Sequence, residues 1–96
     1  MSEGEVAVEV KEFGKHIVAD PRICHGKWTF RGTRIMVWQV LEQIAEEEPW
    51  DVIVKEWGGT VPRAAISEAV ELARQALVAS NDEWRYKALE QLAVAG

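Results

Sequence analysis

One cysteine, three prolines and a single tyrosine are all that this 96-residue chain holds of those types. The lone Cys24 cannot close an internal disulfide, which excludes a disulfide-stapled scaffold and fits a reducing compartment. No apolar run approaches the ~20 residues that a membrane-spanning helix needs. The first residues, MSEGEVAVEV, are acidic rather than basic-then-apolar, so no secretory signal is expected and a soluble cytoplasmic protein is. Ligands for a metal are scarce as well. His16, Cys24 and His25 are fewer than a zinc site generally uses and lack its paired spacing. Cys24 and His25 are adjacent and rarely could face each other as a nucleophile and its base. Gly58-Gly59 lacks the further glycine and lysine of a phosphate loop. Glu46, Glu47 and Glu48 are consecutive, so on a helix they point in different directions and build no shared acid–base site. Catalytic residues, metal and cofactor are therefore all expected to be absent, and the chain reads as something other than an enzyme.

What is present begins with tryptophan. Trp28, Trp38, Trp50, Trp57 and Trp84 are more indoles than a core of this size can hide completely. Some are expected to face a partner or a second copy, where aromatics are favoured. Charge is unevenly spread beneath the formal net value of −5. Residues 1–10 carry three acids and no base. Residues 11–34 carry six bases against two acids, and residues 35–96 carry five bases against eleven acids. Phosphate binding, if present, belongs to the 11–34 segment, while the remainder repels nucleic acid and attracts basic partners.

The apolar pattern assigns the elements. Val6, Val8 and Val10 alternate as in a half-buried strand, which Gly14-Lys15 breaks, and His16-Ile17-Val18 reads as a second short strand. Arg31-Gly32 is placed as a two-residue turn joining Trp28–Phe30 to Thr33–Met36 in a small hairpin, with Gly32 at positive φ. Helical spacing begins at Val37, with Val40, Leu41, Ile44 and Ala45 on one face, and ends by Glu48 because Pro49 follows. A second helix runs from about Pro49 to Trp57 and stops at Gly58-Gly59, with Ile53 and Trp57 one turn apart beside Val52. Thr60 reads as the cap of a third helix with Pro62 in its first turn and a stripe of Ala65/Ile66, Ala69/Val70, Ala73 and Ala76/Leu77. Ser80 with Glu83 reads as a capping box opening a fourth helix, Asn81 to Val94; the alternative is one continuous helix. The fold class is thus mainly α with a short N-terminal β segment: a helix-turn-helix core of three to four helices preceded by a small hairpin. Residues 1–36 form the β segment and basic hairpin, 37–79 the core and 80–96 the C-terminal helix, in one compact domain.

Asp20-Pro21, Gly26-Lys27 and above all Arg31-Gly32-Thr33-Arg34-Ile35 resemble the core motif of the small prokaryotic domain-of-unknown-function 433 family. Ala64-Ala65-Ile66-Ser67-Glu68-Ala69-Val70 is similar to that family's last shared helix, and the likeness spans roughly residues 15–78. The chain departs from the pattern where His25 replaces a glycine, Trp28 a proline, and Gly58-Gly59 an aromatic-proline pair. The resemblance implies a homeodomain-like fold and a VapB-type antitoxin. It further implies a PIN-like ribonuclease toxin as partner and repression of the shared operon through operator DNA.

Two sets of residues are candidates for such contacts. Lys15, Arg22, Lys27, Arg31, Arg34 and Arg63 are the cations available to DNA. Of the residues opening the third helix (Pro62, Arg63, Ala64, Ser67), only Arg63 could read a base strongly. Trp84, Arg85, Tyr86, Leu89 and Leu92 combine the aromatic, cationic and aliphatic groups common at protein interfaces and are assigned to partner binding, foreign or homodimeric. The leading expectation is an antitoxin that neutralises its toxin by direct binding and represses its operon as a DNA-binding dimer. The alternative is a stand-alone helix-turn-helix DNA binder without a toxin, and a third is a dimerisation module.

Overall fold

The structure, a computed structural model, describes residues 9–95, with side chains through Asp82. Three short strands, β1 (Lys11–Phe13), β2 (Ile17–Ala19) and β3 (Trp28–Phe30), form an antiparallel sheet in the order β1-β2-β3. Lys11 stands opposite Ala19, which stands opposite Trp28 across the sheet. β2 is central and all three of its residues are buried, which suits its uninterrupted Ile-Val-Ala run. Among the described residues the first strand begins at Lys11. Val10 precedes it, and Val6 and Val8 lie outside the described residues. β2 pairs with the first strand over three residues before Asp20-Pro21 turns the chain away.

The expected hairpin after β3 is reduced to its turn and one bridge. Thr33 N–H donates to the Phe30 carbonyl (3.0 Å), Phe30 N–H donates to the Ile35 carbonyl (3.0 Å), and Thr29 bridges Met36. Gly32 takes φ +79° as expected, but Arg31 keeps a negative φ, so the turn is not of a primed type. Such a turn splays its strands, and the chain enters a helix instead of a fourth strand.

Helix α1 (Val37–Ala45) buries Val37 and Val40 and packs Leu41 and Ile44 on the core, while Ala45 is exposed. It ends ahead of Pro49 through a Schellman closure, in which Glu48 N–H reaches the Gln43 carbonyl and Glu47 N–H that of Ile44. Glu47 holds the left-handed position of that closure at φ +65°. Helix α2 (Trp50–Glu56) starts after Pro49 at its N-cap and closes in the same way, with Gly58 at φ +64°. Its buried residue is Ile53; Trp57 and Val54 pack beside it, and Val52 faces solvent.

Helix α3 runs unbroken from Arg63 to Ala95, so the capping box proposed at Ser80 does not open a separate helix. Pro62 precedes the helix and its carbonyl accepts from Ala65 and Ile66 N–H. Thr60 is not the cap, because its hydroxyl donates back to the Trp57 carbonyl at 2.6 Å. The core gathers Ile17, Phe30, Val37, Val40, Ile53, Val61, Ala65, Ile66 and Ala69 from every layer. The apolar stripe of α3 is covered only through about Leu72. Beyond that the helix leaves its own domain, and every residue from Arg74 to Asp82 is exposed.

Candidate functional site

The basic segment, residues 11–34, contains all three strands of the sheet, and tertiary contacts divide the six candidate cations into two groups. Arg22 folds onto Asp20: Nε and Nη2 donate to the two carboxylate oxygens at 3.0 and 2.8 Å, and its backbone N–H donates to Oδ1 at 2.9 Å. These hydrogen bonds lower the Asp20 pKa and raise that of Arg22. Arg31 reaches back to the β1–β2 turn, donating to the Lys15 carbonyl and to Glu12, each at 3.0 Å. Arg63, at the start of α3, donates to Asp51 at 2.6 Å and lies 5.3 Å from the Trp50 ring centroid. These three guanidinium groups, assigned to DNA from sequence, each pair with an acid of the same protomer while remaining 66%, 48% and 61% exposed. Lys15, Lys27 and Arg34 differ: their side chains are exposed and have no acidic partner among the described residues.

The β1–β2 turn is held from beneath by α3. Glu68 accepts Lys15 N–H at 2.9 Å and His16 N–H at 2.8 Å. His16 Nδ1 stands 3.2 Å from the same carboxylate without the alignment of a hydrogen bond, so that contact is electrostatic at most. Desolvation alone would push the Glu68 carboxyl up, but the two N–H donors and the imidazole outweigh it and the pKa is lowered. Gly14 makes this approach possible: at φ +63°, any Cβ there would lie 2.5 Å from the carboxylate. No sequence motif marks this contact.

A second unforeseen feature is the turn at Cys24–Gly26. Cys24, His25 and Gly26 all take positive φ (50°, 58° and 80°), a left-handed turn rare for side chains with a Cβ. Cys24 Sγ is 3.6 Å from the Arg34 carbonyl, linking this turn to the residues before α1. Among the described residues, no three of His, Cys, Asp and Glu gather as metal ligands would.

The opposite corner, between α1 and α2, is acidic. Burial first, then Glu56 and Glu46, raise the Glu48 pKa, showing how closely these carboxylates crowd. Gln43 bridges the corner, donating to Glu56 and accepting from Trp57 Nε1 at 2.8 Å.

Beside the basic edge lies an apolar groove of about 320 Å³, lined by Lys27, Trp28, Val37, Trp38, Leu41 and, from α3, Leu72, Ala73 and Ala76. Trp38 is 51% exposed, whereas Trp28, Trp50 and Trp57 pack partly into the core. The surplus of tryptophan thus converges in part on one open surface. Trp84, Arg85, Tyr86, Leu89 and Leu92, the predicted partner-binding set, lie outside the residues whose side chains are described.

Fold and surface together define a small mainly α domain, three helices closed by a three-stranded sheet. Among the described residues, no helix is long and apolar enough to cross a membrane. The chain belongs to the family described as Protein of unknown function (DUF433), which matches residues 17–73. That match spans β2 through the packed half of α3 and ends where α3 leaves the core. No curated protein and no solved structure matches the chain.

Proposed function

We propose that the chain is the antitoxin of a type II toxin–antitoxin pair, which binds a PIN-like ribonuclease directly and represses the shared operon as a homodimer. One observation carries this reading. Helix α3 continues past its own core, and from Arg74 to Asp82 it presents only exposed residues, with Leu77 71% exposed. A helix without a tertiary partner is marginal in water, and most helical stability comes from packing an apolar face. An arm of this kind suits docking into a groove on another protein. Trp84, Arg85, Tyr86, Leu89 and Leu92 follow on the same helix and extend the proposed contact. The test is coexpression with the product of the adjacent reading frame, which the proposal requires to be a ribonuclease. A stoichiometric complex on gel filtration and loss of RNase activity support the proposal; separate elution with the RNase fully active defeats it.

The DNA-binding half rests on fewer residues than the sequence offered. Lys15, Lys27 and Arg34 remain as the phosphate contacts, and the α2–turn–α3 segment is read as a homeodomain-like unit whose Arg63 is committed to Asp51. Three contacts per protomer correspond to a slope of log K against log salt of about −3, or about −5 for a dimer. A stand-alone DNA binder, supported by the same three cations, would bind tightly in the absence of any toxin. A steep slope near about −10 would require Arg22, Arg31 and Arg63 as well.

A further inference from the structure

Helix α3 stays amphipathic after it leaves its own core. Leu72, Ala73 and Ala76 line the groove, and Leu77, the next residue on, is 71% exposed. The other side of the same two turns is polar and already matched within itself. Arg74 donates to both Glu71 oxygens, Nε at 3.0 Å and Nη2 at 2.6 Å, and Gln75 donates to the same carboxylate at 2.9 Å. The rim of the groove carries both signs of charge. Lys27 lines it, and Glu42, one turn beyond Trp38 on α1, is exposed; neither has an oppositely charged partner among the described residues. A partner of one sign would gain at one edge what it loses at the other. A second copy brings the same two signs, and a two-fold axis presents them in reverse order.

We propose that two copies of this chain pack through this face, their α3 helices antiparallel and crossing at Ala73 and Ala76. Leu77 of each copy then enters the groove of the other, beside Trp38 and Leu41. The small residues at the crossing let the two backbones approach closely. Antiparallel packing brings the uncovered half of each helix over the covered half of the other. From Arg74 to Ala95 α3 extends about 33 Å, against about 16 Å from Arg63 to Ala73, so each arm spans the other copy's body. Two arms, each laid about 30 Å along the other copy in a strip about 10 Å wide, bury roughly 1,200 Å² counting both sides of both contacts. That reaches the range of stable interfaces. The inference rests on the homodimer of the reading above and names its face; the side of each arm turned from the other copy stays open to another protein.

Sedimentation equilibrium of the full chain is the test, with tryptophan emission read in parallel. The wild-type chain should become dimeric on concentration to about 100 μM, with a blue shift of emission that Trp38→Phe largely removes. Leu77→Glu replaces a side chain already exposed in the protomer, so the fold stays intact. It should weaken the dimer about 100-fold or more, because the two-fold axis counts the loss twice. Val78→Glu, on the side of α3 that carries Arg74 and Gln75, should change it less than about threefold. A wild type that stays monomeric overturns the inference and the homodimer with it. A dimer that Leu77→Glu leaves intact, or that forms without moving the Trp38 emission, overturns this face alone and keeps the homodimer. Neither result touches the toxin contact, which the coexpression scores separately.

Discussion

Removing the carboxylate of Glu68 tests how the sheet is held to the helices. Its two oxygens accept the N–H groups of Lys15 and His16 at 2.9 and 2.8 Å, across more than fifty residues of sequence. Glu68→Ala leaves both donors without a protein acceptor. Hydrogen bonds to a charged group are worth about 1.5–3 kcal/mol each, but the Lys15 side of the contact is open and water replaces part of it. The expected loss is therefore about 2–3 kcal/mol for Glu68→Ala. It is about 1 kcal/mol for Glu68→Gln, whose amide oxygen can keep one of the two bonds. The sign with pH follows from the lowered pKa of Glu68. A depressed folded-state pKa gives stability that is present above the unfolded value, 4.5, and is lost as pH falls through the folded value. The gap between wild type and Glu68→Gln should thus be full near about pH 7 and shrink steadily below about pH 4. Urea unfolding followed by tryptophan fluorescence at both pH values measures it. Equal stability of wild type and Glu68→Ala near neutrality, or a Glu68→Gln deficit that stays constant into acid, would refute the reasoning.

Other substitutions probe the same backbone. Gly14→Ala adds a Cβ 2.5 Å from the Glu68 carboxylate at φ +63° and should cost about 2–3 kcal/mol, made of left-handed strain plus displacement of the clasp; chemical denaturation reads it. Glu47→Gly relieves the left-handed residue that closes α1, so it should raise the unfolding midpoint, by about 0.5–1 kcal/mol in free energy. His25→Gly should act in the same direction, since His25 sits at φ 58° and ψ 31°; a fall in stability would mean that its side chain makes a contact worth more than the strain. Ile53→Ala, at a position with no solvent exposure, should cost about 2–5 kcal/mol, and an effect under about 1 kcal/mol would deny that α2 is part of the core.

Membership of the family was legible from Arg31-Gly32-Thr33-Arg34-Ile35 and the helix around Ala65, as was the mainly helical fold. The departure at His25 has a physical counterpart: the residue occupies a left-handed conformation that glycine adopts without strain. The candidate site was less legible. All six cations expected to contact DNA were chosen by type and position, and the fold gives Arg22, Arg31 and Arg63 acidic partners in the same protomer. The Trp28–Trp38–Leu72 groove was not foreseen, because it closes only where α3, distant in sequence, packs against β3 and α1.

Local chemistry by itself determined where helices could run: the 3.6-residue apolar spacing after Val37, the stop imposed ahead of Pro49 and the glycine pair after Trp57 all act within a few residues. Gly32 at positive φ belongs to the same class. Only the tertiary structure decided which charges are free and which are matched. Glu12 meets Arg31 because two strands intervene in a fixed register, and Glu68 meets the Gly14 turn because α3 packs beneath the sheet. The same applies to α3 itself, which the sequence left open as one helix or two and which runs unbroken past Ser80. Charge and hydrogen-bond pairing fall off over a few ångströms, so they depend on distances that a linear pattern does not contain.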